Sequence, residues 1–561
     1  MLIGYAITTA ISLSLALLVT LVVYDRKEIR KALAKGISGV DVVALAVLLA
    51  FFVLFSLLFV SPTEQLYFDE NIYQGIAINV LSHGNALWCQ YGTGHLGQCF
   101  SNLVYHDPAG WPVLLAIAFG IFGIGMGTAY ATELAMGALS IVGVFLLCGV
   151  LFNRKHLPAT AAMVMALSPS LFIWSRTQAV IDLPFMTLTV FTFFFFVLFM
   201  RRMNKVTFSI FASCLVLAVY MRIEGVLLLP VFALLYLLFG GEGAVIKRMR
   251  KRLGMIRSKI DSSAMAIAIF VIFMLLMSVQ LYYISLQSKN ADYGQQSQQL
   301  FSSNNLISNG KANLVFLTGG YDTLSYFPSI FSWSVAAAAV LGVVLLAIEG
   351  KNREKFGTIA MIGIWFIAYF VFYASFYAGS AIYGVDARFM LQLLPPLAVL
   401  AAAGIHRIHA ISKARLGPLI AAVAYIAAVA VIVFAPFITL GHLITLPVSQ
   451  MPQQHGISNA VNFIYQNYQK VPTNCLVFSF TPDMWYELNR SSAQIWELGA
   501  NNSTISGFSC HVLDYGYWCQ VPPYVNSTCK SDLSRYKLTV LATNSSGLGS
   551  NDSLYLIQNY S

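Results

Sequence analysis

Long stretches with few or no charged side chains recur along the first 440 residues of this chain of 561 residues. Each is about 18–25 residues long, the length that a helix needs to cross a hydrocarbon layer of roughly 30 Å. Lipid offers the backbone no hydrogen-bond partner, so such segments must be helical. We predict about twelve membrane-spanning helices, at residues 2–24, 41–60, 128–152, 158–178, 183–200, 206–223, 224–240, 262–284, 328–348, 356–379, 388–405 and 417–440.

The composition excludes proteins that fold in water. Hydrophobic residues make up 58% of the chain and charged residues 10%, whereas soluble domains carry roughly 25% charged residues. A soluble enzyme, a disordered tail and a small secreted disulfide-rich protein are therefore excluded. The net charge of +10 falls in short clusters between apolar segments, which indicates membrane topology rather than a nucleic-acid partner.

The positive charges orient the chain. When alternate loops are assigned to opposite sides, 23 of the 33 Lys and Arg residues fall on one side, which is then cytoplasmic. The other side receives 61–127, which contains no Lys or Arg, together with 285–327 and everything after about 441. Both termini are then extracytoplasmic, and the first span is retained because it lacks the basic leading region of a signal peptide. We expect an integral membrane protein of a prokaryotic plasma membrane or an endoplasmic reticulum equivalent.

One apolar segment does not fit the count. Residues 111–125 are short and rich in Gly, and treating them as a span would invert every later loop. We predict that they form a helix at the extracytoplasmic interface.

Six cysteines fall on the extracytoplasmic side, and their even number favours disulfides in an oxidising compartment. We expect a bond between Cys89 and Cys99, while the other four cysteines, Cys475, Cys510, Cys519 and Cys529, allow three pairings. Cys148 and Cys214 fall within predicted spans. The alternative for the first loop is a zinc site formed by Cys89, His95, Cys99 and His106.

The tail from 441 to 561 is predicted to be a small extracytoplasmic α/β domain following a membrane domain of residues 1–440. We expect a helix at 458–469, a strand at 475–480, a short helix at 483–488, and strands at 537–543 and 553–559. Six N-x-S/T sequences, starting at Asn489, Asn501, Asn502, Asn526, Asn544 and Asn551, agree with an extracytoplasmic location.

Charges in or beside a membrane are costly, so those on the extracytoplasmic side are functional candidates. They are Asp69, Glu70, Asp107, Glu133, Arg176, Asp182, Arg222, Glu224, Asp322, Asp386 and Arg388. Asp69 and Glu70 open a predicted helix that stops at Gly84, and neighbouring helical residues point about 100° apart. One of the two acids is therefore expected to be catalytic and the other structural, although Asp69 alternatively caps the helix.

Several motifs together resemble one family. DENIYQGIAINVLSHGN (69–85) and HDPAGWPVLL (106–115) resemble the first external loop of GT-C glycosyltransferases, closest to the branch of protein O-mannosyltransferases and the lipid A aminoarabinose transferase. RTQAVID (176–182), MRIEG (221–225) and ARFMLQLLPP (387–396) resemble further stretches of that branch, and the tail is similar to its small soluble domain. The resemblance implies a GT-C-like all-α membrane fold, with juxtamembrane helices in loop 61–127.

The resemblance also implies an activity: transfer of a sugar from a polyprenyl- or dolichyl-phosphate donor to a glycan, lipid or protein acceptor on the extracytoplasmic face. Asp69 is the expected general base of an inverting displacement, with Glu70 and Asp182 supporting it. A guanidinium matches a phosphate bidentately, so Arg222, Arg388 and Arg176 are candidates for the donor phosphate, or alternatively interfacial anchors. Tyr73, His106, Asp107 and Glu224 complete the predicted substrate site. We expect no metal cofactor, and the Lys that this branch often has within 106–112 is missing here.

Two alternatives differ in class. Asp514-Tyr515-Gly516 resembles the end of the sequon-binding motif of oligosaccharyltransferases, which need a divalent metal, but Val512-Leu513 stand where that motif has tryptophans. The other alternative is a transporter, which neither an inverted repeat nor charges at the membrane midplane support. Convergence of the acids and arginines on one site would favour the enzyme.

Overall fold

The structure is a computed structural model. It describes residues 2–60, 68–93, 99–105, 107–177, 179–239, 271–283, 301–318, 333–348, 353–376, 385–444, 452–498, 508–520, 534–546 and 550–558, together with 285 and 379. Within these ranges, the protein is mostly helical, with one sheet that contains the C-terminal strands.

The helices of the first half are α1 (Leu2–Leu33), α2 (Gly39–Phe59), α3 (Phe68–His83), α4 (Gly110–Phe122), α5 (Met126–Phe152), α6 (Leu157–Ala166), α7 (Pro169–Thr177), α8 (Asp182–Arg202), α9 (Lys205–Met221) and α10 (Leu228–Phe239). The later helices are α11 (Val271–Tyr283), α12 (Ser303–Leu317), α13 (Trp333–Ile348), α14 (Arg353–Ser375), α15 (Leu394–Leu416), α16 (Pro418–Ile444), α17 (Pro452–Asn467) and α18 (Pro482–Glu487). Two 3₁₀ helices, Ile223–Leu227 and Val385–Leu393, precede α10 and α15.

Apolar helices occur at all twelve predicted spans. Six helices of the described chain are long and apolar enough to cross a membrane, and α6 and α7 form a further pair, bent by 58°. The spans predicted at 206–223, 224–240, 262–284 and 328–348 correspond to apolar helices of 10–17 residues, and the span at 417–440 corresponds to α16, whose described side chains form the apolar segment Pro418–Val431. The chain is an integral membrane protein, and the count of twelve spans stays a prediction.

The two ends of the helix bundle carry different charged residues. Asp182 begins α8 and Arg202 ends it, and the Arg202 guanidinium pairs with Asp25 of α1 at 2.6 Å. Ser38 and Asp41 form a capping box at the start of α2, which satisfies free amide groups there. We call the end that carries Asp182 the site end, and the end that carries Asp25 and Asp41 the opposite end.

Two glycines fix the elements beside the site end. Gly84 ends α3 with a φ of +69°, as the sequence predicted, because glycine adopts the left-handed conformation without steric cost. A Cβ on Gly110 would lie 2.4 Å from the carbonyl oxygen of Tyr220, so only glycine lets α4 begin against the end of α9. The predicted helix at 111–125 is thus present as α4, which packs on α3.

A seven-stranded sheet joins the first loop to the tail. Its order is β2 (Cys99–Leu103), β1 (Trp88–Thr93), β4 (Ser491–Gln494), β3 (Cys475–Ser479), β5 (Cys510–Tyr515), β7 (Ser550–Gln558) and β6 (Lys537–Ser546). Strand β3 is parallel to β4 and β5, and the other pairs are antiparallel. The elements predicted for the tail are present, whereas β4, β5 and the β1–β2 hairpin were not predicted.

Four described cysteines are disulfide-bonded and two are free thiols. Cys475 and Cys510 form a disulfide between neighbouring strands, and Cys89 and Cys519 are also disulfide-bonded. The side chain of Cys99 and the whole of Cys529 lie outside the described residues, so the bond from Cys89 to Cys99 stays a prediction. Cys148 and Cys214 are buried free thiols in α5 and α9.

Candidate active site

Asp69 stands in the first turn of α3 at the site end and keeps part of its side chain accessible. Its carboxylate accepts a hydrogen bond of 2.8 Å from the Tyr105 hydroxyl through Oδ1. The other oxygen lies 3.5 Å from Nη1 of Arg388. With 23% of its side chain exposed, Asp69 is oriented by two partners and remains reachable by a substrate.

Arg222 binds two acids in the interior. Its Nε and Nη2 each donate a hydrogen bond of 2.9 Å to the two oxygens of Glu224, a bidentate pair. Its Nη1 donates to Oδ1 of Asp182. The Asp182 side chain is 2% exposed, and its other oxygen lies 3.9 Å from Nε of Arg388. A continuous chain of ion pairs therefore runs from Glu224 through Arg222, Asp182 and Arg388 to Asp69.

The 3₁₀ helix Val385–Leu393 places three side chains against this chain of ion pairs. Arg388 comes from its middle, and the Phe389 ring lies 5.0 Å from the Arg222 guanidinium carbon and 5.3 Å from that of Arg388. An aromatic face attracts cations at these distances. Gln392 donates to the Asp182 carbonyl at 3.3 Å, which fixes this segment to the start of α8.

Glu70 occupies a different environment from its neighbour. It is fully buried, and its Oε2 accepts a hydrogen bond of 3.0 Å from the Tyr130 hydroxyl. The same oxygen lies 3.5 Å from the Ala179 amide nitrogen, and the Ala179 carbonyl accepts from the Trp111 indole at 3.2 Å. Glu70 thus connects α3 to α5 and to the segment before α8, which agrees with a structural role for one acid of the pair.

A second tyrosine–carboxylate contact lies beside Asp69. The Tyr73 hydroxyl donates to Oδ2 of Asp107, and the ring of Tyr73 meets that of Tyr105 edge to face. The Tyr283 hydroxyl donates to the backbone carbonyl of Tyr105 at 2.7 Å. These contacts fix the segment around Asp107 over the start of α3.

The structure brings five of the predicted residues into one group: Asp69, Asp182, Arg222, Glu224 and Arg388. Arg176 ends α7, its side chain is half-buried, and it forms no ion pair with any other described residue. His106 lies outside the described residues. The predicted zinc alternative includes His95 and the side chains of Cys99 and His106, which also lie outside them.

The sequence analysis did not assign two residues that the structure places beside the site, Tyr105 and Glu133. Tyr105 bonds to Asp69, but one tyrosine among 28 gives no sequence signal. Glu133 of α5 was named among the candidate charges but given no role; it is fully buried, and neither carboxylate oxygen is hydrogen-bonded to a residue that the structure describes. It lies within electrostatic range of Asp182 and Glu70, and only the fold shows that α5 brings it there.

Among the side chains that the structure describes, no three of His, Cys, Asp or Glu are grouped so that they would hold an ion. The expectation that no metal takes part stays a prediction.

No protein-family model matches the chain, and no curated protein matches it. Solved structures do. ArnT from Cupriavidus metallidurans bound to undecaprenyl phosphate matches with a TM-score of 0.57 and 14% identity, over 92% of this chain and 98% of that chain. Its apo state gives 0.56 and 13% with the same coverage. The Archaeoglobus fulgidus oligosaccharyltransferase matches with 0.49 and 13%, over 93% of this chain and 74% of that chain.

Identity at this level shows a likeness of fold, and the likeness to ArnT extends over nearly the whole of both chains. It confirms the fold expected from the acidic motif and the arginine motifs. The chain therefore has the fold of ArnT, in agreement with the GT-C-like fold that the motifs predict.

Proposed function

We propose that the protein is a glycosyltransferase that takes a sugar from a polyprenyl- or dolichyl-phosphate donor and transfers it to an acceptor on the extracytoplasmic face. The fold supports this, because one structure that it resembles over nearly its whole length holds undecaprenyl phosphate. The site supports it as well, because acids and arginines meet at one end of the bundle rather than along a path through it.

The observation that carries the proposal is the pairing of Asp69 with Arg388. A partly exposed carboxylate lies 3.5 Å from a guanidinium nitrogen, so a base and an anion-binding group face the same space. In the proposed step, the acceptor oxygen attacks the anomeric carbon and gives its proton to Asp69. The bond from that carbon to the phosphate oxygen breaks, and the lipid phosphate leaves with the electron pair. This is an inverting displacement.

We assign different roles to Arg388 and Arg222. Arg388 lies 3.5 and 3.9 Å from its acids, distances longer than a charge-assisted hydrogen bond of roughly 2.7–2.9 Å. The leaving phosphate would compete for its guanidinium and strengthen its own contact as charge develops. Arg222 is already bound bidentately by Glu224 and by Asp182. We assign it the positioning of Asp182, and assign Tyr73 and Asp107 to the acceptor side.

The test is sugar transfer in membranes from radiolabelled polyprenyl-phosphate hexoses at matched expression. Asp69→Asn keeps the shape of the side chain and its contact with Tyr105 but removes the base, so transfer should fall by a factor of roughly 10² or more. Arg388→Ala should lower transfer by a similar factor. Glu28→Gln, an equal loss of charge on the exposed surface of α1, should leave transfer unchanged.

The outcomes separate the alternatives. Normal transfer by Asp69→Asn would show that Asp69 is only a helix cap and would direct the search to Asp182 and Glu70. No transfer by the wild type from any lipid donor would favour the transporter. Transfer that a chelator abolishes would favour a metal-dependent oligosaccharyltransferase, since we expect activity to persist after chelation.

A further inference from the structure

A cavity of about 750 Å³ lies at the opposite end of the bundle, between α2, α6, α15 and α16. His406 of α15 contributes to it, twelve residues beyond Leu394 at the start of that helix. At 1.5 Å per residue this places the cavity about 18 Å along α15 from the site end. It is therefore separate from the candidate active site.

A network of hydrogen-bonding side chains forms the polar part of the cavity. The Thr160 hydroxyl lies 3.1 Å from Nε2 of His406 and 2.9 Å from the hydroxyl of Tyr425. His409 places Nδ1 3.0 Å from the Ala421 carbonyl. One imidazole, one phenol and one hydroxyl thus meet within a single network, with a second imidazole beside them. Because the Thr160 hydroxyl also donates to the His156 carbonyl at 2.9 Å, the donors that a ligand could take over are those of Tyr425 and the two imidazoles.

The rim of the cavity carries one lysine. Lys155 lines it and forms no ion pair with any other residue that the structure describes. The acid of the rim, Asp41, is engaged by its own helix end: Oδ2 accepts from the Ser38 amide and hydroxyl, and Oδ1 lies 3.4 Å from Nδ1 of His156. Asp41 therefore makes no ion pair with Lys155, and the ammonium group of Lys155 is left for a ligand.

The remaining wall is apolar and continues onto the outer surface of the bundle. Val47 and Leu48 of α2, Met163 of α6 and Val429 of α16 line it. Val47 is 63% exposed, and exposed apolar side chains of a membrane helix face lipid. A ligand with a charged head and hydrocarbon chains matches this arrangement, with its head in the network and its chains along α2 and α16.

We infer that this cavity binds the phosphate headgroup of a membrane lipid, held by Lys155, Tyr425 and the histidines. A phosphate offers acceptor oxygens to the hydroxyl and imidazole donors and a negative charge to the lysine. By the charge bias this end is cytoplasmic, where anionic lipids attract basic side chains. This inference does not depend on the proposed sugar transfer, and its test measures lipid binding rather than activity.

The probe is phosphatidic acid, compared with phosphatidylcholine of the same acyl chains. Native mass spectrometry of the full chain in detergent counts the first bound lipid of each kind. We expect phosphatidic acid to bind about tenfold more tightly than phosphatidylcholine. Lys155→Gln and Tyr425→Phe should each remove most of that preference. Lys31→Gln, which alters an exposed lysine paired with Glu28 on α1, should retain it.

Each result supports or overturns the inference. Equal binding of the two lipids would overturn it, as would a preference that Lys155→Gln and Tyr425→Phe leave intact or that Lys31→Gln also removes. Displacement of bound phosphatidic acid by an excess of inorganic phosphate would show that the site takes free phosphate and would overturn the lipid assignment. Lys155 and Tyr425 are partly accessible, so Lys155→Gln and Tyr425→Phe should both fold. A melting temperature equal to that of the wild type checks this for each variant.

Discussion

Two regions of the molecule bury carboxylates with different kinds of partner. At the site end, Asp182 and Glu224 both bind the Arg222 guanidinium. In residues 452–558, which we call the sheet domain, the described donors to Asp514 of β5 are neutral: its Oδ2 accepts from the Ser479 hydroxyl at 2.7 Å and from the Trp485 indole at 3.0 Å.

The consequence for charge differs between the regions. Burial raises the pKa of Asp514 to about 6 and that of Asp552, which also senses the charge of Asp514, to about 7. Guanidinium groups remain charged at any physiological pH, so they offset the cost of burying carboxylates at the site end. The comparison shows that Asp182 and Glu224 share a permanently charged partner, whereas Asp514 and Asp552 are left to titrate.

Removing the cation is expected to have the largest effect. Arg222→Met would leave Asp182 and Glu224 buried without their shared partner, which costs about 3–5 kcal/mol of unfolding free energy when one side of a buried pair is lost. Thermal unfolding in detergent measures it. Arg26→Met, on the exposed surface of α1, should change little. Equal stability of Arg222→Met and the wild type would show that the acids are protonated and that the two regions do not differ.

The sheet domain should respond to pH in the opposite sense from an ion-paired acid. Because the folded-state pKa of Asp514 is about 6, above its ordinary value of 3.8, folding is favoured below about pH 4 and this contribution is lost as the pH rises through 6. The contribution is about 3 kcal/mol. Asp514→Asn removes this titration, so the stability of the variant between pH 4 and 7 should vary less than that of the wild type.

The measurement is the difference in unfolding free energy between the wild type and Asp514→Asn at each pH, on the full chain. The asparagine oxygen can still accept from Ser479 and Trp485, so the fold is retained. Parallel curves for the two proteins would contradict a titrating Asp514 and would remove the contrast between the regions.

The smallest effect is expected from removing the hydroxyl of Tyr105, which lies beside the proposed base. Tyr105→Phe deletes the 2.8 Å hydrogen bond to Asp69 while leaving the ring contact with Tyr73. Loss of a hydrogen bond to a charged group costs about 1.5–3 kcal/mol, so transfer should fall roughly tenfold or more, less than in Asp69→Asn. A reduction as large as that of Asp69→Asn would assign the tyrosine, rather than the acid, to proton transfer.

Local sequence was sufficient for the helices and for the charged half of the site. Apolar segments give apolar helices in lipid whatever their neighbours are, and Asp69, Arg222 and Arg388 stood out because charge is rare there. Pairing across the chain has no local signature: β1 meets β4 about 400 residues later. Tyr105 was missed for the same reason, since its value to Asp69 depends on the two segments meeting.

The hairpin that joins the sheet also sets the order in which the protein can be completed. The Tyr486 hydroxyl bonds to the Cys89 carbonyl across a sequence separation of 397 residues. At about 5–20 residues per second, a ribosome needs roughly 20–80 s to make that interval. During this time β1 has no strand from the tail beside it. The pairing of β1 with the tail is therefore made last, so premature termination would yield chains with membrane helices but with the β1 edge uncovered.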